Sequence, residues 1–90
     1  MATKRAARET HPAARGDWRD RIAIEPAVLA GKPIIRGTRI SVELVVDLLA
    51  RGYSTAQVLE QYAHLSEADV RACLAYASDI LKSERVYALP

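Results

Sequence analysis

The chain has 90 residues, half of them hydrophobic but only 6% aromatic, and its 13 Lys and Arg stand against 11 Asp and Glu for a net charge of +2. That is room for one domain with a core of Val, Ile, Leu and Ala, and the single Cys73 excludes an internal disulfide and suits a reducing compartment. No run approaches the ~18 apolar residues of a membrane span, and the basic N-terminus lacks the apolar stretch of a secretory signal, so a cytoplasmic protein without membrane contact is expected.

Charge is unevenly placed. Residues 1–21 carry +3, residues 22–40 carry +2, residues 41–82 carry −3, and residues 83–90 are neutral. A polyanion should therefore meet the first 40 residues more readily than the remainder.

In chain order, residues 1–17 are rich in Ala, Arg and Thr, have no apolar period, and contain Pro12 and Gly16. They are expected to form a disordered basic arm, with a domain over residues 18–82 and a tail over 83–90. The alternation Arg21-Ile22-Ala23-Ile24-Glu25, stopped by Pro26, predicts a short strand. Gly31-Lys32-Pro33 marks a turn, and Ile34-Ile35-Arg36 a second short strand. Two such strands need support from the helices or from another subunit.

Helix signals begin at Ser41, an N-cap for a helix to about Arg51, with Gly52 suited to the left-handed position beyond it. Ser54 with Gln57 forms a capping box, and Ser66 with Asp69 is its shorter counterpart. Two helix starts twelve residues apart leave only a short second helix, about Thr55 to Tyr62, and a tight turn at Ala63-His64-Leu65. That spacing predicts a helix-turn-helix. The third helix, Glu67 to Lys82, is expected to pack Val70, Cys73, Leu74, Ala77, Ile80 and Leu81 on one stripe. The first helix carries two apolar stripes, one of Val42, Val45, Val46 and Leu49 and one of Leu44 and Leu48. So wide a face needs cover on two sides, so the helix is either central or in a dimer interface, and a homodimer using Leu44, Leu48, Ile22 and Ile24 is the preferred account.

The run Gly31-Lys32-Pro33-Ile34-Ile35-Arg36-Gly37-Thr38-Arg39-Ile40 is the most distinctive segment. Through it, and from Arg21 to about Leu81, the chain resembles the DUF433 family. The resemblance implies a homeodomain-like core of three helices behind a short β element, usually dimeric. It also implies an antitoxin encoded beside a PIN-like nuclease toxin. Two positions depart from the family pattern: Ala30 stands where a glycine is common, and Ser41 where a proline is common. The family has no defined active site, so no catalytic residue is implied.

Physically, Lys32, Arg36 and Arg39 beside flexible glycines could hold phosphates near a helix N-terminus. Alternatively, the glycines and proline only set turns, with Arg36 or Arg39 paired to Glu43 or Asp47. The lysine does not follow the glycine run of a P-loop. For DNA, Ser66 and Arg71 of the third helix are the candidate phosphate and base contacts, opposed by Glu67 and Asp69. Lys4, Arg5 and Arg8 resemble a minor-groove arm, or else a solubilising tail. Glu43 and Asp47 are better explained as a solvated edge than as paired catalytic carboxylates. His11 and His64 lack metal-ligand spacing with Cys73. Arg85, Val86, Tyr87 and Leu89 of the tail either pack on the domain or grip a toxin.

The sequence therefore predicts a mainly α, three-helix helix-turn-helix protein with a short N-terminal β element, and no enzyme, metal or cofactor. The expected function is that of a type II antitoxin that neutralises a PIN-like ribonuclease and represses its own operon. The competing expectation is a protein-interaction or dimerisation module that never touches DNA.

Overall fold

Three serines open the three helices. In the computed structural model, which describes the backbone of residues 17–88 and the side chains of residues 17–83, α1 spans Val42–Ala50, α2 spans Thr55–Gln61 and α3 spans Glu67–Ala88. The Ser41 hydroxyl accepts from Leu44 N at 3.0 Å. Ser54 and Gln57 close a full capping box, at 3.1 Å and 2.8 Å. Ser66 and Asp69 make the same reciprocal pair, at 3.2 Å and 3.0 Å, so the shorter aspartate substitutes for glutamate. Gly52 ends α1 with φ +101°, a conformation open to glycine at little cost.

Ahead of the helices, Ile22–Ile24 (β1) and Pro33–Ile35 (β2) pair antiparallel, Ile22 opposite Ile35 and Ile24 opposite Pro33. A further bridge joins Ile34 to Ser41, so β2 leads directly into α1. The hairpin lies on the helices: β1 packs against α3, and β2 against α1. Support comes from within one chain.

Helix α1 is central, touching β2, α2 and α3. This accounts for its two apolar stripes within one protomer, the central placement that was the alternative to a dimer interface. Leu48 is only 8% exposed and Ile22 only 4%, and both belong to the protomer's own core with Val45, Val58 and Cys73. Ile24 is 59% exposed and Leu44 is half-buried.

The third helix departs from expectation twice. It continues through Ala88 rather than stopping at Lys82, because no glycine or proline intervenes before Pro90. Ser83–Ala88 is thus helical backbone, not a separate tail. Its expected apolar stripe is also only partly buried. Val70 and Cys73 are in the core, whereas Leu74, Ile80 and Leu81 are 45%, 41% and 65% exposed. Periodicity gave the stripe, but the core covers only part of it. Among the described residues no helix is long and apolar enough to cross a membrane.

Candidate functional site

The distinctive Gly-Lys-Pro run forms the bend that joins the two strands. Leu29, Ala30 and Gly31 all have positive φ, at +49°, +56° and +81°, and this left-handed bend turns the chain back from β1 toward β2. Lys32 then pairs with Glu43 at 3.2 Å, tying the bend to α1. After β2, Gly37 (φ +81°) holds the third position of the Ile35–Thr38 turn, whose N–H···O bond is 3.0 Å. That position of a type II turn favours glycine. The Thr38 hydroxyl donates to the Ile35 carbonyl at 2.7 Å and accepts from Ile40 N at 2.9 Å, which fixes the exit into α1.

Arg36 is the centre of this lock. Its guanidinium donates to the carbonyls of Arg19 (2.8 Å), Asp20 (3.3 Å) and Ile22 (3.2 Å), while its backbone N–H bonds the Arg21 carbonyl at 2.7 Å. Only a planar fork of donors can collect three carbonyls this way. Neither reading of the motif anticipated this use of Arg36 on backbone carbonyls. The carboxylates once matched to Arg36 and Arg39 take other partners: Glu43 holds Lys32, and Asp47 holds Arg51 at 3.0 Å. Arg39 is exposed and makes no ion pair among the described residues.

A second cluster joins the N-terminal segment to α3. Trp18 meets Tyr76 edge-on, with centroids 4.8 Å apart and rings at 89°, and Arg19 lies 4.5 Å over the Trp18 ring. The indole Nε1 donates to Asp79 at 2.6 Å, and Arg21 pairs with Asp69 at 3.0 Å. Beside the cluster is an open groove of about 610 Å³, lined by Trp18, Ile24, Pro26, Arg36 and Tyr76 among others. Sequence reasoning missed this anchor. The only signals were a lone Trp at the domain boundary and a Tyr on the third helix.

The outer face of α3 carries a row of exposed side chains. Arg71, Leu74, Ser78, Leu81 and Lys82 follow the i, i+3, i+7, i+10, i+11 pattern that shares one side of a helix, and all five are exposed. Arg71 and Lys82 make no ion pair among the described residues. Ser66 and Asp69, at the start of the helix, are bound to one another in the cap, and Glu67 stands exposed between them. Residues 17–83 hold eight Lys and Arg against nine Asp and Glu, a balance of −1. The positive excess of the whole chain therefore comes from residues 1–16, at +3.

The expected arm contacts Lys4, Arg5 and Arg8, together with Leu89 and the side chains of Arg85, Val86 and Tyr87, lie outside the described residues. No group of three His, Cys, Asp or Glu side chains gathers into a metal-binding set among the described residues. Cys73 is buried, and burial, helped by the nearby negative charge of Asp69, pushes its thiol up to about 12. It is a core residue, unsuited to nucleophilic work.

Comparison with known proteins fits this architecture. The uncharacterized protein y4eO of Sinorhizobium fredii is 34% identical over 59 residues, 66% of this chain. Those residues make up 27% of that protein, so the chain spans about a quarter of the curated relative it matches. The crystal structure of a DUF433 member from Anabaena variabilis superposes with a TM-score of 0.67 at 25% identity, covering 96% of this chain and 81% of the other. The sequence model of the family described as "Protein of unknown function (DUF433)" matches residues 22–77, more than half of the chain, and the chain belongs to that family.

Proposed function

We propose that the chain is a protein-binding module acting as the antitoxin of a type II toxin–antitoxin pair, neutralising a PIN-like ribonuclease by direct contact. The observation that carries the protein-binding part is the outer face of α3, where Leu74 and Leu81 are exposed between Arg71 and Lys82. A helix that reads DNA presents polar donors to base edges and phosphates. This one presents two leucines, with Glu67 at its leading end. The toxin class is supported only by the resemblance to DUF433 antitoxins.

Contact with the operator, on this reading, belongs to the basic residues ahead of Trp18, because residues 17–83 carry a balance of −1. A homodimer, the other expected assembly, would use Ile24 and Leu44, since Ile22 and Leu48 are buried within the protomer.

The test is functional. Expressing the nuclease encoded beside this gene should arrest growth and degrade RNA, and co-expressing this chain should restore both. A nuclease that stays active in the presence of excess antitoxin, or a neighbouring gene that encodes no nuclease, would remove the antitoxin reading. For the DNA part, the log–log salt slope of operator binding should be near −4 to −5 if about four to six phosphates are neutralised. Deleting residues 1–16 should flatten it, with Asp17 kept because its carboxylate accepts from Arg19 N at 3.1 Å.

A further inference from the structure

We infer that the outer edge of β1 is an interface with a second copy of this chain, in which two β1 strands pair antiparallel about Ala23 and join two hairpins into one four-stranded sheet. The inference deepens the homodimer named above and rests on it.

The first observation is an unused edge. Arg36 N–H bonds the Arg21 carbonyl at 2.7 Å, so by the alternation of an antiparallel ladder Arg21–Arg36 and Ala23–Ile34 are the hydrogen-bonded pairs. Ile35 accordingly turns its N–H away from β1, to the Ile40 carbonyl at 2.9 Å, and Pro33 has none to give. Ile22 and Ile24 therefore direct their own N–H and C=O groups outward, and no further strand pairs with them among the described residues. The Ile22 carbonyl accepts from Arg36 Nη2 at 3.2 Å, which leaves it a second lone pair. Edges of this kind are commonly blunted by a charge or a proline, and β1 contains neither.

The second observation is space. The open groove of about 610 Å³ is lined by all three residues of β1 together with Trp18 and Tyr76, so the edge opens onto a hollow with aromatic walls. Ile24 stands 59% exposed at it.

The third is charge, and it selects the occupant. Arg36 and Glu25 both line the groove, and neither makes an ion pair among the described residues. Arg36 stands across from Arg21, before β1, and Glu25 follows β1, so the two mark opposite ends of the strand. A two-fold axis at Ala23 reverses the second strand and sets Glu25 of each copy beside Arg36 of the other. Ile24 of each copy then lies opposite Ile22 of the other, a cross-strand apolar pair covered by Trp18 and Tyr76. An extended peptide from another protein could make the same backbone bonds, but only a second copy brings the reversed charge on the strand itself. A nucleic acid would meet outward carbonyls and Glu25.

The experiment is sedimentation of the full chain from about 5 to 500 μM, at 50 and 500 mM salt. The wild type should pass from monomer to dimer. Ile24→Lys and Glu25→Arg change exposed side chains, so both should keep the wild-type far-UV spectrum and melting at low concentration. Ile24→Lys should weaken the dimer at least tenfold at both salt concentrations. Glu25→Arg should weaken it at least tenfold at 50 mM and by less at 500 mM, because a like charge then faces Arg36. Ala23→Cys reports the register. Residues facing across a non-hydrogen-bonded pair have Cα atoms about 4.5 Å apart, within disulfide reach, so copper–phenanthroline should link two copies through Cys at position 23 and not through Ala27→Cys. If Ala23→Cys fails to fold, the two exposed substitutions carry the test.

A wild-type dimer left intact by both substitutions would overturn this interface and leave the homodimer standing on another face. A monomer over the whole range would overturn both. Linkage at position 27 and not at 23 would overturn the register. A monomer that binds the neighbouring nuclease, and loses it on Ile24→Lys, would give the edge to that partner and refute the inference.

Discussion

Replacing Ala30 by glycine isolates the strain of the bend before β2. Ala30 sits at φ +56°, ψ +33°, between two other residues of positive φ. For a residue with a Cβ, the left-handed region costs roughly 1–2 kcal/mol. Glycine removes that term but adds backbone freedom to the unfolded chain, an opposing effect of roughly 0.4–1 kcal/mol. At the midpoints of the two ranges the difference favours Ala30→Gly by about 0.8 kcal/mol. For a domain of this size, that raises the melting temperature by about 2–8 °C. Gly31→Ala is the companion change. At φ +81° the new methyl would find only the Pro26 Cα, at 3.9 Å, so its cost is conformational and not a clash. It should lower stability by roughly 1–2 kcal/mol. Thermal and urea unfolding followed by circular dichroism measure both. A glycine at position 30 that leaves the melting temperature unchanged or lowers it would refute the assignment of strain to this residue.

Three further outcomes follow from the packing. Arg36→Lys keeps the charge but concentrates its donors on one nitrogen, where Arg36 uses two to reach the three carbonyls, and should cost roughly 1–2 kcal/mol in urea unfolding; equal stability would show that the fork geometry is not needed. Leu48→Ala should cost roughly 2–4 kcal/mol and lower the urea midpoint equally at all protein concentrations, since Leu48 is core; a concentration-dependent loss would return it to a subunit interface. The Cys73 thiol, raised from 9.0 to about 12 by burial and by Asp69, binds its proton more tightly folded than unfolded. Its contribution to stability is therefore complete below about pH 9 and declines from there toward pH 12, a decline that Cys73→Ala should lack. Iodoacetamide at pH 8 should label Cys73 only after unfolding, and rapid labelling of the native chain would contradict the burial.

The helix starts were legible because capping is local chemistry. Ser41, Ser54 and Ser66 need only the amide three residues ahead, and sequence spacing specifies that partner completely. The strand positions were legible to within one residue for a similar reason: Pro26 and the Gly31-Lys32-Pro33 turn bound them. Long-range partners were not legible. Arg36 reaches back 14 to 17 residues to backbone carbonyls, which carry no side-chain signature. Trp18 bonds Asp79 across 61 residues. Periodicity likewise named the apolar side of α3 but not how far the domain would cover it. Leu74 and Cys73 look equally suited to the core in the sequence, yet Cys73 is fully buried and Leu74 is 45% exposed.

On the proposed protein-binding reading, that partial cover matters more than the helix-turn-helix itself. Caps twelve positions apart, at Ser54 and Ser66, dictate a short α2 and a tight turn, and they would do so whatever α3 displayed outward. The fold thus fixes where α3 stands, and its exposed residues decide what it meets. In a DNA reader the excess positive charge lies on the folded domain, where it can set register on the phosphates. Here the described residues 17–83 total −1, and the excess of +3 lies in residues 1–16. The same division means that shortening the arm should weaken contacts with any polyanion, whereas replacing Leu74 and Leu81 should weaken only those with a protein.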